Sequence, residues 1–196
     1  MARCKRACDV IRLPRTIQLD RSDNVIFAPA AVPGEWAVTG TFVFAGRESD
    51  SLNRKEQIAF RSGFLGIESF GWSTLVTVTL VRPQDRDDAT QILAQQLVDR
   101  FGAPDMAAAL PAASEEMALA EELCQGHAEG TLIALHRTTA EDGIREQFRT
   151  LKPRDTTAFS AAYLGGHDKA FHMVETDEEA EEHFDLAAFM EGKKTS

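Results

Sequence analysis

Apolar positions along this chain follow two rhythms. Residues 13–19 alternate imperfectly between apolar and polar, as a half-buried strand does. After the polar turn 20–24, residues 25–27 (Val-Ile-Phe) read as a second short strand. Pro29 and the Pro33-Gly34 pair mark a loop. Residues 36–44 are rich in β-branched and aromatic side chains and read as a third strand. Gly40 in its middle predicts a bulge or a close backbone approach. Residues 71–81 read as a fourth strand, with Trp72, Thr74, Val76, Val78 and Leu80 on the core face. Residues 131–139 and 144–151 predict a hairpin turning at 140–143. That turn sets Arg137 opposite Glu146 and Leu135 opposite Phe148, both sensible cross-strand pairs.

The second rhythm is helical. Residues 51–61 predict a short helix behind a Ser or Asp cap, stopped at Gly63. In 85–101, Leu93, Ala94, Leu97, Val98 and Phe101 form one stripe. Asp87 and Asp88 favour its first turn, Gly102 caps its end and Pro104 prevents continuation. Residues 105–125 carry a stripe of Leu119, Ala120, Leu123 and Cys124, with Pro111 predicting a kink or two pieces. Residues 176–191 read as a separate acidic helix. The order of elements predicts an α+β fold: a mainly antiparallel sheet of about six strands with two or three helices on one face. The expected organisation is a single α+β domain over 10–154, then a loop and an acidic C-terminal helix or tail over 155–196. Residues 1–9 lack apolar periodicity and are expected to be a leader or a start-site artefact, with Val10 as the alternative start.

Charge narrows the function classes. The 196 residues carry 31 acids and 21 bases, a net charge of −10. A non-specific nucleic-acid binder needs a basic surface, and so does a protein held on an anionic membrane. No partner of either kind is expected. The charge is uneven: residues 175–191 contain eight acids and no base. The three cysteines, Cys4, Cys8 and Cys124, form an odd set with no apolar signal segment ahead of them, which predicts a reducing cytoplasm. Oligomeric state leaves no mark on the sequence.

No residue pattern assembles a catalytic site, and neither a cofactor nor a metal is expected. A histidine is a natural candidate for a general base, but no nucleophile or orienting acid can be placed beside His136. A hydrogen-bonded structural histidine is the simpler role. Cys124 lies on an apolar stripe, three residues before His127, and reads as a buried thiol rather than a nucleophile. The glutamates 115, 116, 121 and 122 lack histidines at the spacing of a helical carboxylate metal site. Among the tail acids, His167, His172 and His183 match no tight zinc spacing. Gly63, Gly66 and Gly71 precede a strand, which is the wrong order for a phosphate cradle. Two low-specificity sites remain. Phe64, Phe70, Trp72 and His136 are candidates to line a small-molecule pocket. Phe184, Leu186, Phe189 and Met190, apolar residues inside the acidic segment, are candidates to dock a protein partner.

The stretches PGEWAVTGTFVFAG (33–46), FRSGFLGIESFGWSTLV (60–76) and GTLIALHRT (130–138) resemble a bacterial family known only as a domain of unknown function. The resemblance spans roughly 12–154 and transfers no catalytic residue. It implies an accessory protein, one that accompanies the maturation of cofactor-bearing enzymes. The leading expectation is therefore a non-enzymatic cytoplasmic accessory or interaction protein. The alternative is a small-molecule binder or enzyme using the 60–72 aromatics and His136.

Overall fold

The computed structural model describes residues 10–47, 51–140, 143–153 and 173–175. The leader 1–9, the three tail histidines and the acidic 176–191 segment lie outside them. The larger sheet has the order β1-β5-β6-β7-β8, built from β1 (Ile11–Ile17), β5 (Leu75–Val81), β6 (Leu132–Ala140), β7 (Gly143–Pro153) and β8 (Met173–Glu175). Every pairing in it is antiparallel. A smaller antiparallel sheet joins β2 (Ala37–Val38), β3 (Phe64–Gly66) and β4 (Trp72–Ser73). Among the described residues the sheets are joined by four α-helices: α1 (Ser22–Ile26), α2 (Arg54–Ser62), α3 (Pro83–Phe101) and α4 (Met106–Cys124). The α+β class stands, but two sheets replace the expected single sheet of about six strands.

Three local departures from the expected elements have clear causes. Residues 25–27 are not a strand. Asp20 accepts the Ser22 N–H at 2.7 Å and Asp23 enters the first turn, so the backbone closes into α1 and leaves Val25 71% exposed. Residues 36–44 form a strand only at β2. Gly40 takes a left-handed φ of 74° and turns the chain into a 3₁₀ helix, Thr41–Phe44. A side chain at Gly40 would collide with Leu65, so the expected close approach is present. Finally, 71–81 breaks at Thr74. Asp23 takes both the Thr74 hydroxyl, at 2.6 Å, and its N–H, at 3.3 Å. That N–H is then lost to the ladder, and β4 and β5 separate.

The helices follow their signals closely. Asn53, rather than Ser or Asp, caps α2, and Glu56 reaches back to the Asn53 N–H to complete a capping box. Pro83 opens α3 at a position where a missing N–H costs nothing, and Gly102 closes it at φ 72°. Asp105 caps α4 through the Ala108 N–H at 2.9 Å, and the helix continues unbroken through Pro111.

The core forms two clusters. The larger joins Leu13, Phe44, Phe60, Leu65 and Trp72 to the inner faces of α3 and α4. The smaller gathers Phe64, Val76, Val78, Ile133 and Leu135 beneath Leu123 and Cys124. On β5 the expected core positions Val76 and Val78 are buried, whereas Leu80 is 44% exposed and Val81 takes the inward place. On α3, Leu93 and Leu97 are buried and Phe101 is 43% exposed. Leu93→Ala should therefore cost about 2–5 kcal/mol in chemical denaturation, the range for a buried leucine. Leu80→Ala should change stability by about 0.5 kcal/mol or less. Equal losses at the two sites would show that the strand and helix faces are wrongly assigned.

Candidate functional site

From Leu132 to Thr138 the burial pattern of β6 alternates, with Ile133, Leu135 and Arg137 inward and His136 exposed. The inward alternation therefore carries a charge into the interior, and the Arg137 side chain is 0% exposed. A buried guanidinium is tolerable only if its five N–H bonds find acceptors. Its Nε donates to Glu146 Oε1 and to Thr41 Oγ1, each at 2.8 Å. Nη1 donates to the carbonyls of Phe60 and Gly63, each at 3.0 Å, with Ala59 at 3.4 Å. Nη2 donates to the carbonyl of Thr39, and the Thr41 hydroxyl donates to Glu146.

The carbonyls of Ala59 and Phe60 belong to the last turn of α2, where helical partners run out; Ala59 also accepts the Gly63 N–H at 2.9 Å. A cation there also suits the negative end of the helix dipole. One side chain thus caps a helix, fixes the turn after β2 and pairs across the β6–β7 hairpin. Burial lowers the Arg137 pKa from its ordinary value, and Glu146 opposes that shift.

Glu116 on α4 adds a third charge within electrostatic reach of this pair. It is half-buried, and its pKa is pushed up to about 7, first by desolvation and then by repulsion from Glu146. Arg137 acts in the opposite sense, and Glu115 adds a little more repulsion.

Two further buried carboxylates hold backbone. Glu35 accepts the N–H groups of Val32, at 2.7 Å, and of Glu68 and Ser69, at 2.8 Å each. Gly66 lies directly against this carboxylate, and any side chain there would clash with it. The loop so held places Phe70 at φ 56°, an uncommon value for a bulky residue. Phe70 then meets Phe42 and Phe101, at 6.5 and 5.7 Å between ring centroids. Asp23 is the other carboxylate, and it binds the Ser73–Thr74 corner.

The four candidate pocket residues do not converge. Phe64 lies fully buried in the smaller cluster, 6.5 Å from Phe148. Phe70 and Trp72 belong to the larger cluster, with Trp72 stacked 5.2 Å from Phe44. His136 lies opposite Gln147 on the outer side of the hairpin. Phe184, Leu186, Phe189 and Met190 fall outside the described residues. Cys124 is fully buried and its thiol is pushed up to about 12 by desolvation, which leaves almost no thiolate near neutral pH. Among the described residues, no group of three or more His, Cys, Asp or Glu side chains could hold a metal ion, and no helix is long and apolar enough to cross a membrane.

The pairing of Arg137 with Glu146 is visible in the sequence, but its burial is not. The one available signal is a lone arginine at an inward position of an otherwise apolar strand. Glu35 and Asp23 give no such signal, because each acts on backbone brought close only by the fold.

These features define an α+β protein whose hairpin, turn and helix end share one buried arginine. The model of a family of unknown function, DUF6505, matches residues 11–169, and the chain belongs to that family. No curated protein and no solved structure matches it.

Arg137→Met should cost about 3–5 kcal/mol, because it leaves Glu146 and two backbone segments, the turn after β2 and the end of α2, without their partner. The double variant Arg137→Met, Glu146→Leu should recover part of that loss, and an equal or larger loss would contradict the ion-pair account. Glu116 gives a pH signature. Its folded pKa, near 7, lies above its unfolded value of 4.5, so its contribution is fully present below pH 4.5 and is lost as pH rises to 7. Glu116→Gln should match the wild type at pH 4.5 and exceed it above pH 7 by roughly 2 kcal/mol after allowance for screening. A stability difference that does not vary with pH would contradict the raised pKa.

Proposed function

We propose that this protein is a non-enzymatic accessory protein of the cytoplasm that engages a protein partner through its acidic C-terminal segment. The observation that carries the reading is the composition of that segment: Phe184, Leu186, Phe189 and Met190 sit among eight acids in 175–191. Like charges at this density disfavour an isolated helix. Large apolar side chains at such positions gain most when a partner covers them. The buried polar groups fit the same reading. Arg137, Glu35 and Asp23 are each engaged by backbone or by neighbouring side chains, as groups that support a fold are. A role beside the maturation of cofactor-bearing enzymes is the specific form we favour, on the strength of the sequence resemblance.

A second reading, a small-molecule binder, draws on Phe70. Its left-handed backbone and its contact with the half-exposed Phe101 are the kind of local strain that collects at ligand sites. The dispersal of Phe64, Trp72 and His136 weighs against a pocket built from all four residues.

The test is in-cell crosslinking of the full chain against a variant with Phe184, Leu186, Phe189 and Met190 all changed to Ser. The proposal expects a defined crosslinked protein that the variant loses at unchanged melting temperature. An identical crosslinking pattern in both chains would contradict it.

A further inference from the structure

Helix α4 packs inward through Ala109, Ala113, Met117, Ala120, Leu123 and Cys124, all buried. Glu116 falls on the same stripe, three residues after Ala113 and four before Ala120, a spacing that sets all three on one helix face. Alanine buries little apolar surface, so the helix is held less firmly than its length suggests. Its last turn, at Leu123 and Cys124, lies over the sheet residues Val76, Val78, Ile133 and Leu135.

Into the same interior β6 brings Arg137 and β7 brings Glu146, whose side chains are 0% and 7% exposed. The Arg137 hydrogen bonds go to Glu146, to Thr41 and to the carbonyls of Thr39, Ala59, Phe60 and Gly63, and none goes to Glu116. One guanidinium thus stands against two carboxylates. With both ionised, the cluster holds a net negative charge away from water. Glu115, the preceding residue of α4, adds to the repulsion on Glu116. The other elements packed on α4 do not offset it. On α3, Arg86 pairs with Glu121 at 3.4 Å; on β1, the Arg12 charge acts on Cys124; β2, Ala37–Val38, carries no charge. Arg137 remains the base that acts on Glu116.

Two events relieve such a cluster. Glu116 can take a proton and stay seated, or it can ionise and move into water, which means lifting the part of α4 that carries it. We infer that α4 is a pH-gated cover: with Glu116 protonated its C-terminal half closes over Val76, Val78, Ile133 and Leu135, and ionisation of Glu116 favours its release. The Glu116 pKa of about 7 sets the gate at neutral pH, so a small change of pH alters how often this apolar face is uncovered. The inference is independent of the proposed function.

Cys124 reports the opening, because it lies fully buried in the last turn of α4. The experiment labels the full chain with a dipyridyl disulfide, which reacts with thiols in acid as well as at neutral pH, and measures by peptide mass mapping how fast the peptide containing Cys124 is modified. Wild type and Glu116→Gln are compared at the same pH, which cancels the chemistry of the thiol itself. The two rates should agree within a few-fold at pH 5. At pH 8 the wild type should label roughly 30-fold faster, the ratio expected when a carboxyl of raised pKa ionises on opening. In urea below the unfolding transition, labelling should depend on urea much more weakly than global unfolding does, because a local opening exposes less surface. A wild-type to variant ratio that is the same at pH 5 and pH 8 would overturn the gate. Labelling that follows the full urea dependence of global unfolding at both pH values would overturn the cover.

Discussion

A guanidinium with no access to water is the constraint around which this fold is arranged. Taking an arginine out of water costs several kcal/mol unless all its donors are met, and only a defined set of acceptors can meet them. Here the acceptors come from three places far apart in sequence: the Thr39–Thr41 turn, the end of α2 and Glu146 on β7. Each acceptor must be held still for the others to be useful. The left-handed Gly40, the capping box that fixes α2 and the hairpin register therefore serve the same interaction. Glu116 limits it from the other side, because its ionisation adds a second negative charge beside Glu146.

The parts of this structure that were legible in the sequence are those governed by neighbours in sequence. The hairpin register follows from turn length, and Arg137 meets Glu146 and Leu135 meets Phe148 as expected. The 93–97 stripe and Gly102 give α3, and Gly63 ends α2, because periodicity and caps act over a few residues. The errors occur where a distant group captures backbone. Nothing near Thr74 predicts that Asp23 will take its N–H and break a strand, and nothing near residue 35 predicts that its carboxylate will hold the loop before Gly71. The candidate pocket fails as a unit for a related reason. Phe64, Phe70 and Trp72 are close in sequence, but β3 and β4 distribute them between two core clusters, and strand alternation turns His136 away from both.

The described part of the molecule thus reads as a scaffold whose buried charges are committed to shape. That moves functional attention to what the scaffold presents: the exposed Phe101 packed against Phe42 and the buried, left-handed Phe70, and the acidic composition of residues 175–191. Membership of a family of unknown function fits this emphasis without narrowing it further.

The central claim is that Arg137 makes α2, the Thr39–Thr41 turn and the hairpin one cooperative unit. Native-state hydrogen exchange tests it most directly, through the opening free energies of amides in the last turn of α2 and in β6. In the wild type the two should open together, at a common free energy. In an Arg137→Lys variant, whose ammonium cannot reach acceptors in a guanidinium's planar spread, the α2 amides should open separately and at lower free energy while α3 amides are unchanged. Exchange from α2 that stays matched to β6 in the variant would contradict the account.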